Sequence, residues 1–267
     1  MLQLLSEEMF KFGSEINNDD EVIPQRSKKQ MAIAERHREL LLIAKDIISA
    51  EGFHGFTMDK LASASGYSKG TIYNHFVSKE DVIVTISCEA LKTLAQMYKK
   101  AYGFEGGSRD KVVALHVAYR IFSRLEPVLF MCVLTSKTPW VVEKSTAENI
   151  EKQNLAEEKL VEIADKFILD AIDGEDLTLA ATASTDALIF ANWAVAFGSN
   201  ALLNNATNSQ CIQRIEDPYS VLYNVNIVLD GMNWQPLSSR RDYKKVWREV
   251  EQTIFADESA YLAQIGR

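Results

Sequence analysis

The stretch TMDKLASASGYSKGTIYNHFVSKEDV, residues 57–82, decides the fold. Thr57 is placed to cap a short helix over Met58–Ala64, because its hydroxyl can accept a backbone N–H left free in a first helical turn. Gly66 follows in a tight turn, and Ser68 opens a second short helix that runs to Phe76. Ser78 caps a third and longer helix, with Asp81 as an acid in its first turn. At about 100° per residue, Ile72 and Phe76 of the second helix share one face, and Leu61 and Ala62 of the preceding helix are available to meet them. Gly70 and Asn74 point the opposite way, flanked by Thr71 and Tyr73.

That outward face is small and polar, with one aromatic hydroxyl and no hydrophobic anchor. A helix entering the DNA major groove needs such a face, because base edges and phosphates are read through hydrogen bonds. Gly70 costs about 1 kcal/mol relative to Ala inside a helix, and makes sense where the backbone must approach the duplex closely. Lys69 and Lys79 stand at helix starts, where anions bind. His75 lies on the flank, within reach of a phosphate. The candidate DNA-contacting residues are therefore Thr57, Lys69, Gly70, Thr71, Tyr73, Asn74, His75 and Lys79. Two helices joined by a Gly turn also occur in ordinary bundles, where Tyr73 is a half-buried ring and the lysines are solvated charges.

Upstream, Ile33, His37, Leu40, Leu41, Ala44, Ile47 and Ile48 recur at three-and-four spacing and mark the buried stripe of another helix. Gly52 is expected to close it in a left-handed conformation. Residues 1–27 form an acidic, Pro-containing extension with a short helix at Leu2–Phe12, and Arg26, Lys28 and Lys29 form a soluble linker or a minor-groove arm. Downstream, the long helix runs to Tyr102 and stops at GFEGG. Further helices are expected near 108–125, 127–136, 142–172, 177–206, 218–232 and 240–264. No segment alternates with period two, so the fold class is all-α. A three-helix helix-turn-helix domain over 28–80 is followed by a larger helical domain over 81–267.

The chain has 267 residues, 47% of them hydrophobic, and a net charge of −8. Such a charge argues against a generic nucleic-acid binder. From Lys28 to Tyr102, however, eleven Lys and Arg stand against eight Asp and Glu. A mildly basic end on an acidic body suits a protein that touches DNA with one part only. No stretch reaches the roughly 20 uninterrupted apolar residues of a membrane span, and no signal peptide is visible, so a cytoplasmic protein is expected. Cys88, Cys132 and Cys211 make neither a disulfide framework nor a zinc spacing. His37, His54 and His116 stand alone, so no metal or other cofactor is implied. GFEGGS lacks the lysine of a phosphate loop. No nucleophile–base or paired-acid spacing marks an enzyme.

In order and without a gap, Gly52-Phe53, Thr57, Leu61-Ala62, Gly66, Ser68 to Tyr73, His75-Phe76 and Ser78 to Glu80 closely resemble the DNA-binding domain of tetracycline-repressor (TetR) family regulators, over roughly residues 36–83. Ile48 stands where that family usually has Phe, Phe56 where it has a small residue or Thr, and Tyr67 where Val is common. None of these departures falls on a DNA-facing position. Ile227 to Met232, followed by Trp234 and Pro236, looks like the end of the family's dimerisation helix. The resemblance implies a homodimer on a palindromic double-stranded operator, relieved by a small molecule bound in the larger domain that moves the helix 79–102. An activator or a ligand-independent regulator would carry the same DNA-binding residues, and a protein-interaction module is a further alternative.

The Ala-rich, nearly all-apolar segment 178–206 and the segment 218–232 are the expected dimer interface, with Ala191, Val225 and Leu229 as the positions to test. For a largely hydrophobic effector, Phe122, Phe130, Met131, Trp140, Trp193 and Phe197 are candidate apolar contacts, with His116, Tyr119 and Asn192 as polar ones. Each of these aromatics is equally a candidate core residue.

Overall fold

The computed structural model describes residues 27–180 and 183–267. The acidic extension, with its expected helix at Leu2–Phe12, lies outside the described residues apart from Ser27. Among the described residues all regular structure is helical. Helix α1 spans Lys28–Gly55, α2 Met58–Ser65, α3 Lys69–Tyr73 and α4 Lys79–Tyr102. They are followed by α5 (Ser108–Leu125), α6 (Pro127–Thr135), α7 (Pro139–Val142) and α8 (Ala147–Asp173). Last come α9 (Thr185–Asn205), α10 (Gln210–Gln213), α11 (Ser220–Gly231), α12 (Tyr243–Gln252) and α13 (Ala256–Gln264).

Several boundaries differ from the sequence expectation, each for a local reason. Helix α1 begins at Lys28 because Ser27 and Gln30 form a reciprocal capping box. Leu40, Leu41, Ala44 and Ile48 of its stripe are buried, whereas Ile33, a turn beyond the packing partners, is exposed. Gly52 does take a positive φ, at φ 72° and ψ 174°. That region is essentially open to glycine alone, and it kinks the helix, which then continues for one more turn. The expected helix 142–172 divides into α7 and α8. Residues 177–180 are not helical, so α9 starts only where the Ser184 hydroxyl accepts from the Ala187 N–H. The expected helix 240–264 breaks at Thr253, whose backbone leaves helical values at φ −109° and ψ −83°.

The chain forms two compact units. One contains the described residues through Thr93 together with Cys132–Asn154; the other contains Leu94–Met131 and Leu155–Arg267. Packing thus groups the residues differently from a single cut after residue 80. The second segment joins the first unit through buried polar groups that are distant in sequence. The Asp81 carboxylate, 1% exposed, accepts from the Thr146 N–H and hydroxyl at 3.0 Å and from the Asn149 amide at 2.9 Å. Ser87, Ser136 and Gln153 close a buried triangle with bonds of 2.6–3.0 Å. A carboxylate that takes bonds from two elements fixes their register, because leaving it without partners would be costly.

In the second unit α5 is the central helix, packed by α9, α11, α12 and α13. Arg109 at its start is fully buried. Its guanidinium pairs with Asp230 at 2.7 Å, donates to the Asn226 side chain and the Trp234 carbonyl, and lies over the Tyr243 ring. Beside it, Arg241 grips Asp110 with two bonds of 2.6 Å. Val225 and Leu229 are buried inside this unit. They are therefore unsuited to test an interface, since a charge at either would disrupt the protomer's own core.

Candidate nucleic-acid interface

Local chemistry builds the α2–turn–α3 motif in full. The Thr57 hydroxyl accepts from the Lys60 N–H and starts α2. Gly66, at φ 70° and ψ 3°, ends it in the left-handed conformation and turns the chain. The Ser68 hydroxyl then accepts from the Thr71 N–H and starts α3. Ile72 and Leu61 are fully buried and Phe76 is 1% exposed, which anchors the inner face of α3. His37 of α1 packs on the Phe76 ring at 4.7 Å and faces His75 at 5.7 Å. Burial, then the neighbouring His75 charge, holds the His37 pKa below the usual histidine range. Burial and Arg36 do the same to His75. Protonation of this pair is thus disfavoured, which keeps the rings packed behind the motif.

On the outer face, Lys69, Gly70, Tyr73 and Asn74 are exposed, with Thr71, His75 and Lys79 half-buried. A methyl added at Gly70 would meet only the Ser68 hydroxyl, at 3.8 Å. Nothing within the protein therefore demands a glycine there, so the demand lies outside it. Two sequence-derived assignments change in character. The Thr71 hydroxyl is engaged by Ser68 Oγ at 2.9 Å, which makes it part of the cap. Lys69 is paired with Asp59 of α2 at 2.8 Å, on the solvent side. Asp59 is a neighbour that sequence reasoning missed, although its place in the first turn of α2 is the ordinary place for an acid.

The candidate effector residues separate. Tyr119, Phe122 and Phe130 are buried, and Phe130 stacks on Phe197 at 5.0 Å. Trp193, 40% exposed, lies 6.2 Å from Phe197. His116 Nε2 shares a hydrogen bond with the Asn192 side chain at 3.0 Å, and burial lowers its pKa to about 4. Met131 is half-buried near Asn205. Trp140 belongs to the first unit, on α7, and is exposed. A partly open recess of about 420 Å³ in the second unit is lined by Tyr98, Leu115, Phe167, Ile168, Asn192 and Trp193, among others. Of the candidates, only Asn192 and Trp193 line it. Tyr98, Phe167 and Ile168 were not singled out from the sequence, because helical spacing does not distinguish a recess wall from a core.

Residues 40–86 match the model of the family described as bacterial regulatory proteins, tetR family. By this module the chain belongs to the tetR family. The transcriptional repressor AcnR of Corynebacterium glutamicum is 22% identical over 167 residues, which span 57% of this chain and 85% of that protein. The transcriptional activator FasR of Mycolicibacterium smegmatis is 27% identical over 85 residues, 32% of this chain and 39% of FasR. Among solved structures, the Bacillus subtilis transcriptional regulator FadR, in complex with stearoyl-CoA, superposes with a TM-score of 0.55 at 14% identity, covering 73% of this chain and 98% of FadR. This last likeness concerns the fold: an N-terminal helix-turn-helix domain followed by a helical remainder. The chain is a DNA-binding transcriptional regulator of the tetR family. Among its described residues, no group of three metal-binding side chains comes together.

Proposed function

We propose that the chain is a ligand-responsive repressor that binds a palindromic operator as a homodimer in the cytoplasm. The observation that carries the DNA-binding part is the outer face of α3. Gly70, Tyr73 and Asn74 are exposed over a fully packed inner face, with a glycine that the protein itself does not require. Residues 28–80 carry DNA recognition, and the remainder serves effector binding and dimerisation. Lys69, Tyr73, His75 and Lys79 hold phosphates, and Asn74 reads a base edge, since a side-chain amide can bond both to a donor and to an acceptor. Repression, rather than activation, follows the likeness to AcnR, which reaches well beyond the DNA-binding residues.

The second copy sits on the apolar faces of α9 and α11. Phe190, Leu202, Tyr223 and Ile227 are each more than half exposed. Helix α9 is, by length and composition, apolar enough to cross a membrane. Yet Asn192, Asn200 and Asn204 on it all bond to α5, which favours a partner helix over lipid for its remaining surface. The effector occupies the recess. Its walls suit an apolar molecule, and α4, which supplies Tyr98 to the lining, begins at Lys79 next to the motif. Stearoyl-CoA bound to FadR is the chemical precedent in this fold.

The roles of reader and anchor are separable. Selection of genomic fragments by the purified protein supplies an operator for gel-shift titrations across salt concentrations. Lys79→Ala is expected to weaken all sequences alike and to reduce the salt slope by about one unit. Asn74→Ala is expected to lose about 1–3 kcal/mol of discrimination between operator variants while the slope stays unchanged. An altered sequence preference in Lys79→Ala, with its salt slope intact, would reverse the assignment.

A further inference from the structure

The second unit gathers arginines without acids to pair them. Arg120 and Arg124 stand four residues apart on α5, so their side chains share a face. The Arg267 guanidinium donates to the Arg124 carbonyl at 2.9 Å, which brings a third positive charge to the same place. Arg120 reaches only a neutral acceptor, the Asn200 side-chain oxygen on α9, at 3.2 Å. Among the described residues none of the three forms an ion pair within 4 Å. Glu251 of α12 is the acid within Coulombic range, and it is engaged by the Trp247 indole N–H at 2.9 Å. Burial and then Arg124 lower the Arg120 pKa to about 10, with Glu251 opposing. Burial lowers that of Arg124, again against Glu251, with Arg267 adding to the fall. Like charges partly withdrawn from water and left unpaired are costly unless an anion completes them. In a chain of net charge −8 their gathering is not a matter of composition.

The same two helices wall the recess. Asn192, Ala196 and Asn200 are spaced at i, i+4 and i+8 on α9 and are all buried. Asn192 and Ala196 line the recess, and Asn200 holds Arg120. Along α5, Arg120 lies roughly 8 Å beyond Leu115, a recess residue, at the helical rise of about 1.5 Å per residue. We propose that Arg120 and Arg124 bind the carboxylate or phosphate headgroup of an amphiphile whose apolar chain occupies the recess. The proposal rests on the recess being the effector site, and it adds the headgroup chemistry.

The test is calorimetric titration of the full-length protein with decanoate, decyl phosphate, decanol and inorganic phosphate, repeated on Arg120→Gln/Arg124→Gln. Both anionic amphiphiles are expected to bind about 10- to 100-fold more tightly than decanol, as charge-assisted bonds require. The double variant should lose that preference and still bind decanol as the wild type does. If it does not fold, as shown by its melting curve, Arg124→Gln alone is expected to lose at least half of the logarithmic preference. Equal binding of all three chain compounds would overturn the headgroup site and leave the recess reading intact. Binding of inorganic phosphate with no chain compound would overturn the amphiphile and the recess together, as would binding of none. Whichever anionic amphiphile binds more tightly identifies the headgroup as carboxylate or phosphate.

Discussion

Phe190→Glu and Ile227→Glu are each expected to convert a dimer into monomers and to lower operator affinity by at least about 100-fold. Both side chains are more than half exposed, so a charge there costs the protomer little. At a twofold interface each substitution appears twice, and a buried, unpaired carboxylate on each copy opposes association. Two half-sites gripped by one dimer gain their affinity from linkage, which commonly amounts to a factor of 10² to 10⁴. Sedimentation velocity and gel shift on the same samples check both effects. An unaltered dimer in both variants would move the interface off α9 and α11. Melting curves should stay near wild type, which distinguishes this outcome from the unfolding expected of a charge at Val225 or Leu229.

Asp230→Ala is expected to be the most destabilising of the exchanges considered, by about 3–5 kcal/mol. It leaves Arg109, with no exposed surface, charged inside the unit beside neutral acceptors alone. Asp230 itself is about one-third exposed at its side chain, which places the expectation toward the lower end. Arg109→Met in the Asp230→Ala background should recover part of the loss, because it removes the stranded charge. Chemical denaturation of the two single variants and the double gives the coupling directly. A pH signature accompanies it. Burial raises the Asp230 pKa, but bonds from Ser238 and Arg109 outweigh it, so the net shift is downward. Its contribution is complete above the ordinary aspartate pKa and is lost as pH falls through the lower folded value. Asp230→Ala should therefore flatten the acid limb of the stability curve.

What the sequence made legible follows the range of the interactions. Thr57, Gly66 and Ser68 act on residues two to four positions away, so the α2–turn–α3 motif and its two faces could be read directly. Asp81 was legible as a first-turn acid. Its bonds to Thr146 and Asn149, 65 and 68 residues away, were not, and they bring Cys132–Asn154 into the first unit. For the same reason Trp140 and Trp193, alike in the sequence, are found in different units. Gly52 signalled its positive φ but not that a further turn would follow, because the continuation to Gly55 depends on how that turn packs. Arg120 and Arg124 read as solvated charges on a helix. Only packing shows that acids are missing around them.

The most direct measurement is footprinting of the purified protein on a fragment selected from its own genome, with the stoichiometry determined in parallel. The account predicts a symmetric protected region occupied by dimers, with two half-sites whose centres lie about 34–36 Å apart, or a multiple of that spacing. Protection of a single asymmetric site by a monomer would contradict it.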